Sequence, residues 1–214
     1  MKKLFDLSLY LVLDPDLCRQ HSMVETAREA VAGGVTVVQV RHKRASTAER
    51  IALARSVKEA LRDTPALIVM NDDIEAAVQA GVDAVHIGQR DMSPALARER
   101  IGVDMLLGLS VNSEGAARGV DPRLVDYAGI GPVFATPTKP DHEQPIGFAG
   151  LARIVAACPV PTVAIGGLKR QHVSEVFAAG AHGLAVVSAI CGTPDPRQSA
   201  SELWAAIGHA HSGL

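Results

Sequence analysis

Gln39, Arg41 and Lys43 stand on alternate residues at the end of the run Val35-Thr36-Val37-Val38. In an extended chain, residues two apart project from one face, so an amide, a guanidinium and an ammonium share a side. Removing such groups from water costs free energy unless polar or anionic company offsets it. Phosphate is suited to that role, because Arg offers it a planar fork and Lys a compact charge. The competing interpretation is that Arg41 to Arg44 form a solvated basic turn.

An acidic set follows. Asn71-Asp72-Asp73 comes directly after Leu67-Ile68-Val69-Met70, and Asp91 ends the stretch His86-Ile87-Gly88-Gln89-Arg90-Asp91. One helix N-cap needs only one of the three residues 71 to 73. Ser93-Pro94 is a helix start by itself, so Asp91 is not needed as a cap. Asp72 and Asp91 could bring two carboxylates to one Mg2+, which takes one or two carboxylates together with waters and phosphate oxygens. Two independent solvated aspartates are the other possibility. Further polar groups are Ser110 and Asn112 after Leu106 to Leu109, and Thr136, Thr138 and Lys139 within the Pro-rich stretch Gly131 to Gly147. The last three offer two hydroxyls and an ammonium to a phosphate, in a segment of the length and composition of a binding loop. His86 lies inside its aliphatic run and is expected to pack or hydrogen bond internally, outside the site.

These groups need a scaffold that gathers them. Aliphatic runs expected to be strands, Leu7 to Leu13, Thr36 to Val40, Ala66 to Met70, Ala84 to Ile87, Leu106 to Val111, Tyr127 to Ile130, Thr162 to Ile165 and Gly183 to Val187, alternate with Ala-rich helical patterns. The helices are expected at Met23 to Ala32, Thr47 to Arg62, Ile74 to Gln79, Pro94 to Arg100, Ser113 to Arg118, Ala149 to Ala157, Gln171 to Ala179 and Ser199 to Ala210. About eight βα units predict an α/β fold, a TIM (β/α)8 barrel occupying residues 1–214 as one domain. A doubly wound open sheet is the alternative, but no G-x-G-x-x-G follows the first strand. In a TIM barrel, polar residues at strand C-termini face one mouth, and the loops after strands 7 and 8 commonly hold phosphate on backbone N–H groups. Gly166-Gly167 and Val187-Ser188 stand at those ends.

Composition narrows the partners. A net charge of -2 argues against nucleic acid or an anionic membrane as partner, and no apolar stretch reaches the length of a membrane span. Cys18, Cys158 and Cys191 are scattered, without a C-x-x-C pair, which suits a reducing cytoplasm and provides no metal ligand set. The N-terminus has no convincing cleavage site, so a cytoplasmic protein is expected. A homo-oligomer is left open.

In order along the chain, Gln39-x-Arg41-x-Lys43, Asn71-Asp72, His86-Ile87-Gly88-Gln89-x-Asp91, Gly131-Pro132-Val133-Phe134 with Thr136-x-Thr138-Lys139, and Ile165-Gly166-Gly167 resemble the thiamine phosphate synthase family. The resemblance implies a Mg2+-dependent TIM barrel that joins 4-amino-2-methyl-5-hydroxymethylpyrimidine diphosphate to a thiazole phosphate with release of pyrophosphate. It implies that Gln39, Arg41, Lys43, Asn71, Ser110 and Lys139 handle the pyrimidine diphosphate and that Asp72 and Asp91 hold Mg2+. Thr136, Thr138, Gly167, Val187 and Ser188 would receive the thiazole phosphate. Two departures matter: position 112 is Asn where many relatives carry His, and position 73 is Asp where Arg is frequent. Asn112 counts against the runner-up, a thiazole tautomerase-like protein or a non-catalytic thiazole-phosphate-binding paralogue. A sugar-phosphate isomerase or epimerase would need a carbon-acid base that the strand ends do not offer.

Overall fold

The computed structural model describes residues 5–136 and 143–212. Eight strands close into a parallel barrel in sequence order: β1 Leu9–Leu13, β2 Val37–Val40, β3 Leu67–Asn71, β4 Ala84–Ile87, β5 Leu106–Val111, β6 Tyr127–Ile130, β7 Thr162–Ile165 and β8 Gly183–Val186. Strand β8 pairs back onto β1 with Leu9 opposite Leu184, which leaves no edge. Helices α1 Met23–Ala32, α2 Thr47–Ala60, α3 Ile74–Ala80, α4 Pro94–Ile101, α5 Glu114–Arg118, α6 Gly147–Ala157, α7 Val173–Ala178 and α8 Pro196–Ser212 follow the strands in turn. The eight expected βα units are therefore present.

Strand parity divides the core in two. Leu9, Leu11 and Leu13 of β1 face outward and pack with the helices, whereas Tyr10 and Val12 face the barrel axis. Val38 and Val40 of β2 likewise face outward, while Val37 faces inward and Gln39, two residues on, is 5% exposed. Apolar residues on both faces explain the continuous aliphatic runs in the sequence. The inward series continues past the last paired residue, so the side chain two positions further on reaches the C-terminal mouth. That rule carries Val12 to Asp14 and Gln39 to Arg41, while on β3 the step from Val69 reaches Asn71, itself the last paired residue, opposite His86.

Helix starts are set by short polar side chains. Ser22, Ser46, Asp73, Ser93 and Ser113 each accept a hydrogen bond from a first-turn amide. The Asp73 cap is further held by Arg50 Nη1 at 2.9 Å, which settles the division of labour in Asn71-Asp72-Asp73: Asp73 caps α3 and Asp72 does not. Several strand and helix ends lie one or two residues from expectation, and two helix starts have a visible cause. α7 is preceded by a 3₁₀ turn at Arg170–His172, and α8 starts three residues earlier than Ser199, because Asp195 accepts from the Gln198 amide and Pro196 opens the helix. Among the described residues no helix is long and apolar enough to cross a membrane.

Candidate active site

The C-terminal ends of the strands enclose a cavity of about 300 Å3. Gln39 of β2 with Arg41 and Lys43 just after it, Asn71 of β3 with Asp72 just after it, Asp91 after β4 and Ser110 of β5 all line it, as do Thr136, Gly167, Val187 and Ser188 from the far side. Thr138 and Lys139 lie outside the described residues.

The basic and acidic groups are interleaved. Arg41 Nη1 donates to the Asp14 carboxylate, a partnership between side chains only 15% and 7% exposed. Asp14 was not anticipated from the sequence, although its place two residues beyond Val12 was the available signal. Lys43 reaches outward, 51% exposed, with Nζ 3.8 Å from Asp72 Oδ2. Arg41 is thus not part of a solvated turn; Arg44, by contrast, is an exposed partner of Asp16.

Asp72 is the one non-glycine residue with positive φ among the described residues, at 61°. That left-handed conformation is uncommon outside Gly, Asn and Asp. The Asp72 amide donates to His86 O at 2.8 Å, tying the ends of β3 and β4 together. Burial pushes the Asp72 carboxyl above its ordinary pKa, and the adjoining Asp91 carboxylate adds to the shift. Asp91 is oriented by the Gly88 amide, which donates to Oδ2 at 2.7 Å. Two carboxylates crowded together, one of them disfavoured as an anion, are able to share a divalent cation. Among the described residues no group of three or more His, Cys, Asp or Glu side chains forms a fuller cage. The pair suits Mg2+, which keeps waters and takes phosphate oxygens, better than a metal that requires an all-protein shell.

Across the mouth, Gly166 and Gly167 adopt φ of 108° and 65°. A Cβ on Gly166 would come within 2.7 Å of Pro132, and one on Gly167 within 2.9 Å of Phe134 Cβ. The β7 end is thereby packed onto the β6 end, where Val133 N donates to Ile165 O at 2.9 Å and Phe134 N to Gly166 O at 3.0 Å. Among the described residues the amides of Gly167 and Ser188 donate to no other backbone group. They are the kind of backbone donors that bind a phosphate.

The floor was the least anticipated part. His86, expected to pack or hydrogen bond internally and to stay out of the site, does hydrogen bond internally, with its two ring nitrogens toward the Tyr127 and Ser110 hydroxyls, but it also lines the cavity. Room for the rings comes from glycine: a Cβ on Gly108 would lie 2.3 Å from Tyr127 Cζ and 2.5 Å from His86 Nδ1. Gly108→Ala is expected to displace both rings and to cost about 1 to 3 kcal/mol of stability, the usual range for overpacking. A urea unfolding midpoint equal to that of the unmodified protein would show that the rings are not confined there.

A family model described as thiamine monophosphate synthase matches residues 9–190. A thiamine-phosphate synthase of Laribacter hongkongensis is 45% identical over 98% of this chain and 99% of its own length. One from Solidesulfovibrio magneticus is 47% identical over 95% and 96%. Among solved structures, a thiamine phosphate pyrophosphorylase from Pyrococcus furiosus superposes with a TM-score of 0.86 at 34% identity, covering 95% of this chain and 96% of that one. A 3-hexulose-6-phosphate synthase superposes with a TM-score of 0.70 at 20% identity, a likeness of fold alone.

Proposed function

The chain belongs to the thiamine monophosphate synthase family, and we propose from that premise that its barrel mouth joins 4-amino-2-methyl-5-hydroxymethylpyrimidine diphosphate to a thiazole phosphate. Its activity is thiamine-phosphate synthesis, a transfer reaction in which pyrophosphate leaves. The observation that carries the residue assignment is the convergence of Arg41, Lys43, Asp72 and Asp91 on one cavity, opposite the glycine-lined end of β7.

The chemistry follows from charge. The bond between the pyrimidine methylene carbon and the bridging oxygen breaks, both electrons leave with the diphosphate, and the aminopyrimidine ring spreads the positive charge left on carbon. The thiazole nitrogen then donates its lone pair to that carbon and closes the new C–N bond. Arg41, held in place by Asp14, and Lys43 stabilise the negative charge growing on the departing oxygens, and Lys139 is assigned the same task. Asp72 and Asp91 would hold Mg2+, which when bound neutralises further diphosphate charge. Asn71 and Ser110 orient the pyrimidine diphosphate from β3 and β5. Thr136, Thr138, Gly167, Val187 and Ser188 seat the thiazole phosphate on hydroxyl and amide donors. No proton has to be removed from either substrate, so a general base is not required. The unpaired Cys18, Cys158 and Cys191 favour placing the protein in the reducing cytoplasm.

Purified protein given Mg2+ and both substrates is expected to release one pyrophosphate for each thiamine phosphate formed, and neither product when the thiazole phosphate is withheld. Absence of both products with the full mixture would overturn the assignment.

A further inference from the structure

A chain of hydrogen bonds crosses the cavity floor, and three of its members have no part in the roles above. Gln39 Nε2 donates to the Tyr10 hydroxyl at 2.7 Å, and the Tyr10 and Tyr127 hydroxyls stand 2.9 Å apart. The Tyr127 hydroxyl lies 3.2 Å from His86 Nδ1, and His86 Nε2 lies 3.0 Å from Ser110 Oγ. The chain runs from β2 through β1, β6 and β4 to β5, across the barrel axis. Both of its ends, Gln39 and Ser110, face the cavity.

Its direction follows from which atoms can donate. An amide nitrogen only donates, so the Tyr10 oxygen accepts from Gln39 and must pass its own proton onward. A buried O–H without an acceptor is costly, and the Tyr127 oxygen is the acceptor within reach. Tyr127 in turn donates to His86 Nδ1, which places the imidazole proton on Nε2, and Nε2–H donates to Ser110 Oγ. The Ser110 proton is then left for the cavity. At the other end, with its nitrogen held by Tyr10, Gln39 presents its carbonyl oxygen. Burial raises the pKa of both phenols, so each keeps the proton that the sequence of bonds requires.

We propose that Tyr10, Tyr127 and His86 are positioning residues that lock Gln39 as an acceptor and Ser110 as a donor, making the floor selective for a 4-aminopyrimidine over its 4-oxo counterpart. The proposal rests on the function assigned above and extends it to substrate choice. Exposure rises from Gln39 at 5% to the Arg41 side chain at 15% and that of Lys43 at 51%, so the strand presents its amide deepest and its charges nearest the mouth. The ring therefore enters first, against Val12, Val163 and Ala185, and the diphosphate stays outside it. There the exocyclic amino group donates to the Gln39 carbonyl and a ring nitrogen accepts from Ser110. A 4-oxo ring reverses the first polarity, setting carbonyl against carbonyl, and a site with fixed hydrogen-bonding groups discriminates strongly against such a mismatch.

The test compares pyrophosphate release, as kcat/KM, from the 4-amino and 4-oxo pyrimidine diphosphates with thiazole phosphate and Mg2+. The unmodified protein is expected to prefer the amino substrate by at least about a hundredfold, in line with the discrimination of polar sites. Tyr127→Phe removes a hydroxyl that bonds neither Gln39 nor Ser110, yet it deprives Tyr10 of its acceptor. Tyr10 then turns its proton back to Gln39, the amide flips, and the preference is expected to shrink at least tenfold. Tyr10→Phe frees the same amide directly and is expected to act in the same direction, so the ratio remains readable if Tyr127→Phe does not fold. Equal losses on both substrates, with the ratio unchanged in the variants that fold, would make these residues structural only and overturn the proposal. Failure of the unmodified protein to release pyrophosphate from the amino substrate overturns instead the underlying function.

Discussion

Arg41→Ala is expected to lower turnover about a thousandfold, the scale seen when one preorganised donor to developing negative charge is removed. The substitution also strands Asp14, whose side chain is 7% exposed and whose cationic partner is Arg41. Breaking a buried pair by deleting one member leaves an uncompensated charge and costs about 3 kcal/mol or more. Turnover and stability therefore fall together in the single variant, and neither alone identifies the role. The double variant Asp14→Asn with Arg41→Ala separates them: without the stranded carboxylate, the urea unfolding midpoint is expected to return most of the way. Pyrophosphate release is expected to stay at the level of the single variant, because nothing replaces the guanidinium beside the leaving group. Recovery of turnover along with stability would mean that Arg41 serves only to neutralise Asp14.

The sequence made some parts of this arrangement legible and concealed others, for identifiable physical reasons. A parallel barrel buries both faces of every strand, so the eight aliphatic runs were visible as such. Alternation along one strand showed that Gln39, Arg41 and Lys43 share a face. It could not show what that face meets, because the Arg41–Asp14 pair joins β2 to β1, and the Tyr10–Tyr127 bond crosses the barrel between residues 117 apart. His86 shows the same limit: a histidine within an aliphatic run reveals nothing about the hollows at Gly108 on β5 and Gly129 on β6 that receive its ring. Reserving one residue of Asn71-Asp72-Asp73 for the cap left the other two undivided, and Asp72 was singled out through the resemblance of Asn71-Asp72 to the family motif. The start of α8 is signalled locally by Asp195-Pro196, a capping side chain followed by proline at the first helical position, a stronger cue than the Ala-rich pattern further on.

The second large effect belongs to Asp72. Asn is the informative replacement because it tolerates a φ of 61°, whereas Ala would add backbone strain to the loss of the carboxylate. Turnover in Asp72→Asn is expected to fall about a hundredfold to a thousandfold, since the variant keeps the shape of the site while giving up half of its anionic donor set. Stability is the discriminating readout. The Asp72 carboxyl has its folded-state pKa raised, mainly by burial and next by Asp91, so ionisation of this group weighs against the folded chain at neutral pH. In the presence of a chelator, Asp72→Asn is accordingly expected to melt no lower than the unmodified protein. Added Mg2+ is expected to raise the melting temperature of the unmodified protein, because a ligand that binds only the folded state stabilises it by mass action. The same addition is expected to have little effect on the variant, in which Asp91 is left as the remaining carboxylate of the pair. Equal stabilisation of both proteins by Mg2+ would place the cation elsewhere and reduce Asp72 to a shaping residue at the end of β3.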